Sequence, residues 1–180
     1  MSKRKVVQFD IDGVLADFLT GYRAVQSKLG LEPTYTPAWD DYWNDDVWRV
    51  IKDPKNLFWR HLPMLASPHE FARINDFNYA FDVYFVTARP GATAKVQTQQ
   101  WLQLKGISSP TVIVSSEKGG VANAIEADFV IEDNAGNAWS IATRSDAKTF
   151  LLDAPYNQQD VSWKVTRIKT VNEFLDEVSR

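Results

Sequence analysis

A run of short apolar segments, each closing on a polar loop and each followed by helical spacing, constrains this chain more than any other feature. The segments are Val6–Ile11, Val83–Val86, Thr111–Val114, Phe129–Ile131 and Thr149–Leu152. Runs this short and continuously apolar suit strands buried on both faces. Helical patterns lie between them, over Asp17–Leu29, from Ser67 to about Tyr79, over Ala92–Lys105, up to Glu126, over Gly136–Thr143 and after Thr170. Ser67-Pro68-His69-Glu70 and Thr170-Val171-Asn172-Glu173 both read as capping boxes, and Gly30 ends the first helix. Strands alternating with helices require right-handed crossovers, which make the sheet parallel. The expectation is an α/β fold, a three-layer Rossmann-like parallel sheet.

The rhythm breaks between Leu31 and Ala66. That stretch carries prolines at 33, 37, 54 and 63, acidic clusters, and a dense aromatic set: Tyr35, Trp39, Tyr42, Trp43, Trp48, Phe58 and Trp59. It reads as a small inserted module after the first strand. A length of 180 residues suits one core with a modest appendage, so the boundaries expected are 1–16 and 67–180 for the core and 17–66 for the insertion.

Composition narrows the chemistry. Hydrophobic residues at 44% and charged residues at 24% are ordinary globular values. A net charge of −3 gives no general attraction for nucleic acid. Cysteine is absent, which removes disulfides, thiolate metal sites and thiol nucleophiles, and His61 and His69 are too few for a histidine-built metal centre. The basic opening Ser2-Lys3-Arg4-Lys5 leads into an apolar run broken by Asp10 and Asp12, unlike a signal peptide. No run is long enough to span a membrane. A cytoplasmic protein is expected.

The functional argument begins where the first strand ends, at Asp10-Ile11-Asp12-Gly13. Alternation along the strand sends Asp10 and Asp12 to one side and Ile11 to the core, and Gly13 lets the chain turn away. Alone, such a motif is an ordinary strand-terminating turn. In a parallel sheet, however, all strands end on one edge, where ligands bind. Asp10, Asp12, Thr87, Lys118 and Asp133 therefore become neighbours, and together they describe a phosphate-handling site. Asp10 can act as a nucleophile through an acyl phosphate. Gathering two carboxylates and a phosphate costs about 4 kcal/mol for each unit-charge pair at about 4 Å and an effective dielectric of about 20. A divalent cation must offset that, and oxygen donors suit Mg2+. Lys118 supplies a point charge to the phosphoryl group, and the loop Thr87-Ala88-Arg89 supplies hydroxyl and amide donors.

These segments resemble the haloacid-dehalogenase-like phosphohydrolase superfamily: Asp10-Ile11-Asp12-Gly13-Val14 matches its first motif, Thr87 the second, Lys118 the third and Glu132-Asp133 the fourth. The resemblance implies Asp10 as nucleophile and metal ligand, Asp12 as general acid and base with its backbone carbonyl on magnesium, and Asp133 as the third protein ligand. Glu132 would stand outside the ligand set, and Asn134 and Asn137 would support Asp133. The second acid at Asp12 favours a phosphatase over a dehalogenase. Asp10 to Phe18, the region Asn56-Leu57-Phe58-Trp59 and Leu62-Pro63 look like the 5′(3′)-deoxyribonucleotidase branch, whose small helical cap matches the insertion. That likeness implies that Phe18 stacks on the base. The chain departs from the branch at Ala88-Arg89, where serine and proline are usual.

Each of these residues also has a plainer reading. Phe18, Trp39, Trp43, Phe58 and Trp59, with Tyr42 and Trp48, can build the insertion's own core while one or two face the substrate. Arg89 either contacts phosphate or pairs with a surface carboxylate. The activity expected is a magnesium-dependent phosphomonoesterase acting on (deoxy)nucleoside 5′-monophosphates. The alternatives are a phosphatase for another small organic phosphate, such as a sugar phosphate, and a non-catalytic metal- or ligand-binding module. The partner expected is a small phosphomonoester, with no polynucleotide and no membrane, and a homodimer is left open.

Overall fold

The computed structural model describes residues 3–35 and 39–180, the side chains of Trp39 and Asp40 excepted. Its sheet contains β1 (Val6–Phe9), β2 (Asp82–Thr87), β3 (Thr111–Val114), β4 (Phe129–Glu132), β5 (Lys148–Leu152) and β6 (Val165–Ile168). All pairings are parallel, in the order β3-β2-β1-β4-β5-β6. The chain steps outward from β1 to β3 and then returns to the other side of β1. The switch point thus lies between β1 and β4, where a crevice opens at the carboxyl ends of the strands.

Every residue of β1 and β4 is buried, and alternation puts the larger apolar side chains on one face and Val6, Gln8, Val130 and Glu132 on the other. Val7, Phe9, Phe129, Ile131 and Phe150 face a large aromatic core shared with α3 (Pro68–Ala80), α4 (Ala94–Leu104) and α7 (Val171–Ser179). On the other face Val6 and Val130 meet Ala122 of α5 (Lys118–Ala124) and Ile141 of α6 (Ala135–Arg144). The small residues there let α5 and α6 approach closely. A Cβ on Gly119 would lie 2.7 Å from the Ser140 carbonyl oxygen and 2.6 Å from its hydroxyl. Glycine is what brings the start of α5 to the sheet edge.

Between β1 and β2 the chain forms α1 (Phe18–Lys28), α2 (Asp45–Lys52) and 3-10 turns at Trp39–Tyr42, Pro54–Asn56 and Phe58–Arg60. The two necks of this helical insertion are stitched together: Asp17 N–H donates to Pro63 O at 3.0 Å and Leu65 N–H to Leu15 O at 2.8 Å. Phe18, Tyr22, Val47, Ile51, Phe58 and Trp59 join the same core as Phe9 and Phe85. The chain after α1 is tied back to that helix through Gln26, whose amide donates to the Thr34 hydroxyl and whose oxygen accepts from the Thr34 N–H, both at 2.9 Å. Among the described residues, no helix is long and apolar enough to cross a membrane.

Three local readings need correction. β6 is missing from the sequence expectation because, of Val165-Thr166-Arg167-Ile168, only the end residues are buried, leaving no apolar run. The Ser67 capping box is complete, but at α7 Glu173 accepts from the Lys169 N–H rather than from Thr170. The loop expected over Ser115–Gly120 is shorter than the sequence suggests, because Lys118 already opens α5.

The close helix contact generates a paired test. Gly119→Ala should destabilise the protein by about 1–3 kcal/mol, because backbone blocks the new methyl group. Gly120→Ala should stay within about 1 kcal/mol of the parent, since its tightest neighbour is the movable end of the Arg144 side chain at 3.3 Å. Urea denaturation of the two variants measures the contrast, and equal midpoints would refute the packing argument.

Candidate active site

Asp10 extends β1 by one step, its N–H donating to Ile131 O at 3.0 Å, and so the sheet itself aims its side chain. Lys118, the first residue of α5, places its Nζ 2.6 Å from Asp10 Oδ1 and 2.8 and 3.0 Å from the two oxygens of Glu132. Asn137 Nδ2 donates to Glu132 Oε1 at 2.6 Å. Asp133 is held from the other side, with Tyr156 O–H donating to Oδ2 at 2.6 Å and Asn157 Nδ2 donating to its carbonyl oxygen at 2.6 Å. Gly13 passes against this group with φ of +86°, and a Cβ there would sit 1.9 Å from Asp133 Oδ2. Only glycine satisfies both the turn and the close approach.

The electrostatics follow from crowding. Burial alone would raise the Asp10 carboxyl, but the Lys118 ammonium overrides it and holds the group below the usual carboxylate range. Burial would likewise lower Lys118, yet the charges of Asp10 and Glu132 outweigh that and hold it above the usual lysine range. Burial and then the charge of Asp10 push Glu132 and Asp133 well upward. One ammonium faces three buried carboxyls, so the cluster has negative charge to spare. Ligand oxygens of Asp10, Glu132 and Asp133 all lie within 4.8 Å of one another. An all-oxygen set with surplus negative charge fits a hard divalent cation. Glu132 is already engaged by Lys118 and Asn137, which leaves Asp10 and Asp133 as the side chains best able to hold it.

Asp12 takes a different environment two residues away. Arg89 meets it in a fork, with Nη2 to Oδ1 at 2.7 Å and Nε to Oδ2 at 2.9 Å, and Thr87 Oγ1 adds a longer contact of 3.3 Å. Arg89 is therefore no surface residue. It pairs with a carboxylate, but as a buried group whose side chain has 0% exposure.

Asp10, Asp12, Thr87, Lys118 and Asp133 line one cavity of about 280 Å3, together with Ala88, Arg89 and an aromatic wall of Phe18, Tyr42, Trp43, Trp48 and Trp59. Phe18 is 4% exposed and stacked on Trp48 and Trp59, with interplanar angles of 24° and 18°. Trp43 is the open face of the wall, at 68% exposure. Phe58 turns away into a separate cleft with Val25 and Leu62, so the structure does not bring it to this cavity. The Trp39 side chain lies outside the described residues. His61 and His69 are exposed and away from the cavity.

The structure adds residues and reassigns others. Asn134 caps α6, accepting from the Asn137 N–H at 3.0 Å, and Asn137 holds Glu132; neither contacts the Asp133 side chain as expected. Tyr156 holds that side chain and Asn157 the backbone carbonyl of Asp133, both from the polar loop after β5. The signal was present, since Asp153-Ala154-Pro155-Tyr156-Asn157 follows a strand as the other site loops do.

Comparison with known proteins agrees with this geometry. Residues 4–176 match the family described as 5′ nucleotidase, deoxy (pyrimidine), cytosolic type C protein. No curated protein matches the chain. Similar solved structures include a haloacid dehalogenase-like hydrolase from Burkholderia xenovorans, at 10% identity and a TM-score of 0.62, covering 98% of each chain. A HAD family hydrolase from Deinococcus radiodurans, with bound phosphate and sodium, shows 13% identity and a TM-score of 0.60 over 98% of this chain and 95% of its own. The HAD-hydrolase YfnB from Bacillus subtilis, bound to magnesium, shows 13% identity and a TM-score of 0.62 over 99% and 100%. The structural likenesses establish that the chain has the fold of the haloacid-dehalogenase-like hydrolases, and the match along nearly the whole chain establishes the family: the protein belongs to the cytosolic type C 5′ nucleotidases.

Proposed function

We propose that the protein is a magnesium-dependent phosphomonoesterase that hydrolyses (deoxy)nucleoside 5′-monophosphates to nucleoside and phosphate through an aspartyl-phosphate at Asp10. The observation that carries this reading is a single cavity that joins Asp10, Asp12, Lys118 and Asp133 to a wall of aromatic rings. Its volume of about 280 Å3 is near the lower end of small-molecule sites, which begin at about 300 Å3. The phosphate would lie against the charged floor and the base against the indoles. Trp43 and Trp48 offer the base more open ring surface than Phe18 does. In this division of labour residues 1–16 and 67–180 carry the chemistry, and 17–66 selects the substrate. A cytosolic setting accords with the family's description.

In the first step an Asp10 oxygen attacks phosphorus, the ester P–O bond breaks, and the leaving oxygen takes a proton from Asp12. In the second step water attacks the phosphoaspartate, gives its proton to Asp12, and the P–O bond to Asp10 breaks to release phosphate. Lys118, kept charged by Asp10 and Glu132, keeps Asp10 ionised for attack and faces the charge that develops on the phosphoryl oxygens. Thr87 and the amides that follow it donate to the same oxygens. Magnesium held by Asp10, Asp133 and the backbone carbonyl of Asp12 would offset the phosphate charge and polarise its oxygens.

A panel of phosphate esters tests the reaction and the substrate together. Phosphate release should require magnesium and stop on chelation, and Asp10→Asn should lower kcat by more than about 1,000-fold. Deoxynucleoside 5′-monophosphates should exceed ribose 5-phosphate in kcat/KM by roughly tenfold or more, the value of one base stacked on an aromatic ring. Equal specificity for the two would point to a sugar-phosphate enzyme instead. Tyr156→Phe should weaken magnesium binding by about 10- to 100-fold, as loss of a bond that orients a ligand usually does. Calorimetric titration of the folded variant reads this directly, and an unchanged affinity would remove Tyr156 from the metal site.

A further inference from the structure

The fork from Arg89 is the most fully constrained side-chain contact around the cavity that the proposed chemistry leaves without a task. Three of its nitrogens already hold partners: Nε and Nη2 bind the two oxygens of Asp12, and Nη1 donates to Thr98 Oγ1 at 2.9 Å on α4. Two indoles lie beside the guanidinium, Trp59 of the insertion at 4.9 Å and Trp101 of α4 at 5.8 Å. Trp59 is itself anchored, its N–H donating to Gln97 Oε1 and its Nε1–H to Pro90 O, both at 3.1 Å. An arginine packed this way cannot swing out to grip a ligand. Asp12, by contrast, keeps part of its side chain exposed at 18%, with Thr87 at 3.3 Å as its other contact.

We infer that Arg89 is a positioning residue that fixes the carboxylate of Asp12 on the leaving-group side of the cavity, and that Trp59 makes this clamp part of the insertion's contact with α4. The inference rests on the phosphatase reading and adds to it a residue that acts through Asp12 rather than on phosphate. An aspartate just before a glycine turn has two free side-chain torsions, and holding a proton donor in one geometry supplies much of its catalytic value. A planar two-pronged fork does this, and a lysine's point charge does not.

Leaving-group dependence separates this role from the alternatives. Arg89→Met and Arg89→Lys should both lower kcat on deoxyuridine 5′-monophosphate by about 100-fold or more, with KM and inhibition by inorganic phosphate nearly unchanged. p-Nitrophenyl phosphate needs no protonation of its leaving group, so its first turnover should survive. The variants should release a burst of about one p-nitrophenolate per active site, followed by a slow steady rate while phosphorylated Asp10 accumulates. Should Arg89→Met fail to fold, Thr98→Val removes one anchor at constant volume and should show a smaller loss with the same leaving-group bias. A raised KM and weakened phosphate inhibition at unchanged kcat would overturn the inference by assigning Arg89 to phosphate. Equal losses on both esters without a burst would overturn it in favour of a general structural role. A parent enzyme inactive on both esters would overturn the phosphatase reading and this inference together, whereas an active parent isolates the inference.

Discussion

Lys118 carries an ammonium group into a place closed to water, between Asp10 at 2.6 Å and Glu132 at 2.8 Å, and the rest of the site is arranged around that fact. Stripping water from three charged groups is costly, and the attraction between them offsets the cost only when the geometry is close. The backbone supplies the closeness. Asp10 is pinned by a ladder bond to Ile131, Glu132 ends the neighbouring strand, and Gly119 lets α5 press against α6 so that its first residue reaches both acids. A helix start set back by even one methyl group would leave two buried carboxylates without their counter-charge.

The same crowding accounts for what the cluster lacks. Lys118 balances one carboxylate of three, and burial with mutual repulsion pushes Glu132 and Asp133 toward protonation. Tyr156 and Asn157 secure Asp133 from a fifth strand end, with a carboxylate oxygen of Asp133 within 4.8 Å of one on Asp10. A protein that needed only stability would fill this space with apolar side chains of similar volume, which is often no less stable. Three acids gathered around one lysine at a sheet edge make sense as a site for further positive charge, and they support the magnesium reading more strongly than any single residue does.

The legible strands of this fold are those with a continuous apolar run, including the edge strand β3 although only Val112 of it is buried. Strands covered on both faces leave continuous apolar runs, and loops at their ends announce a site because parallel topology forces them together. Thus Asp10, Thr87, Lys118 and Asp133 could be found without coordinates. β6 could not, because an edge strand buried at Val165 and Ile168 alone carries no run. Arg89 stayed between two readings, phosphate contact or a surface ion pair, for a different reason. Its partner lies 77 positions away and its burial is completed by Trp59 of the insertion and Trp101 of α4, so no local pattern distinguishes it from a surface arginine. Phe58 and Trp59 show the limit most sharply: adjacent aromatics, with rings at 81° to each other, of which one faces the cavity and the other a separate cleft.

Asp10 and Asp12 differ by two positions and share one cavity, yet their surroundings are opposite in the ways the proposed reaction requires. Asp10 is sealed beside a lysine, which keeps it ionised and immobile for attack. Asp12 lines the same cavity, held by an arginine while part of its side chain stays exposed. Two carboxylates take two roles when their environments are kept apart. Here the separation is made by different elements, α5 behind Asp10 and the loop after β2 behind Asp12. The second of these is braced by the insertion through Trp59, which also forms part of the aromatic wall. The part of the chain proposed to recognise the base is therefore in physical contact with the part proposed to hold the proton donor, and the two proposed tasks share one tryptophan.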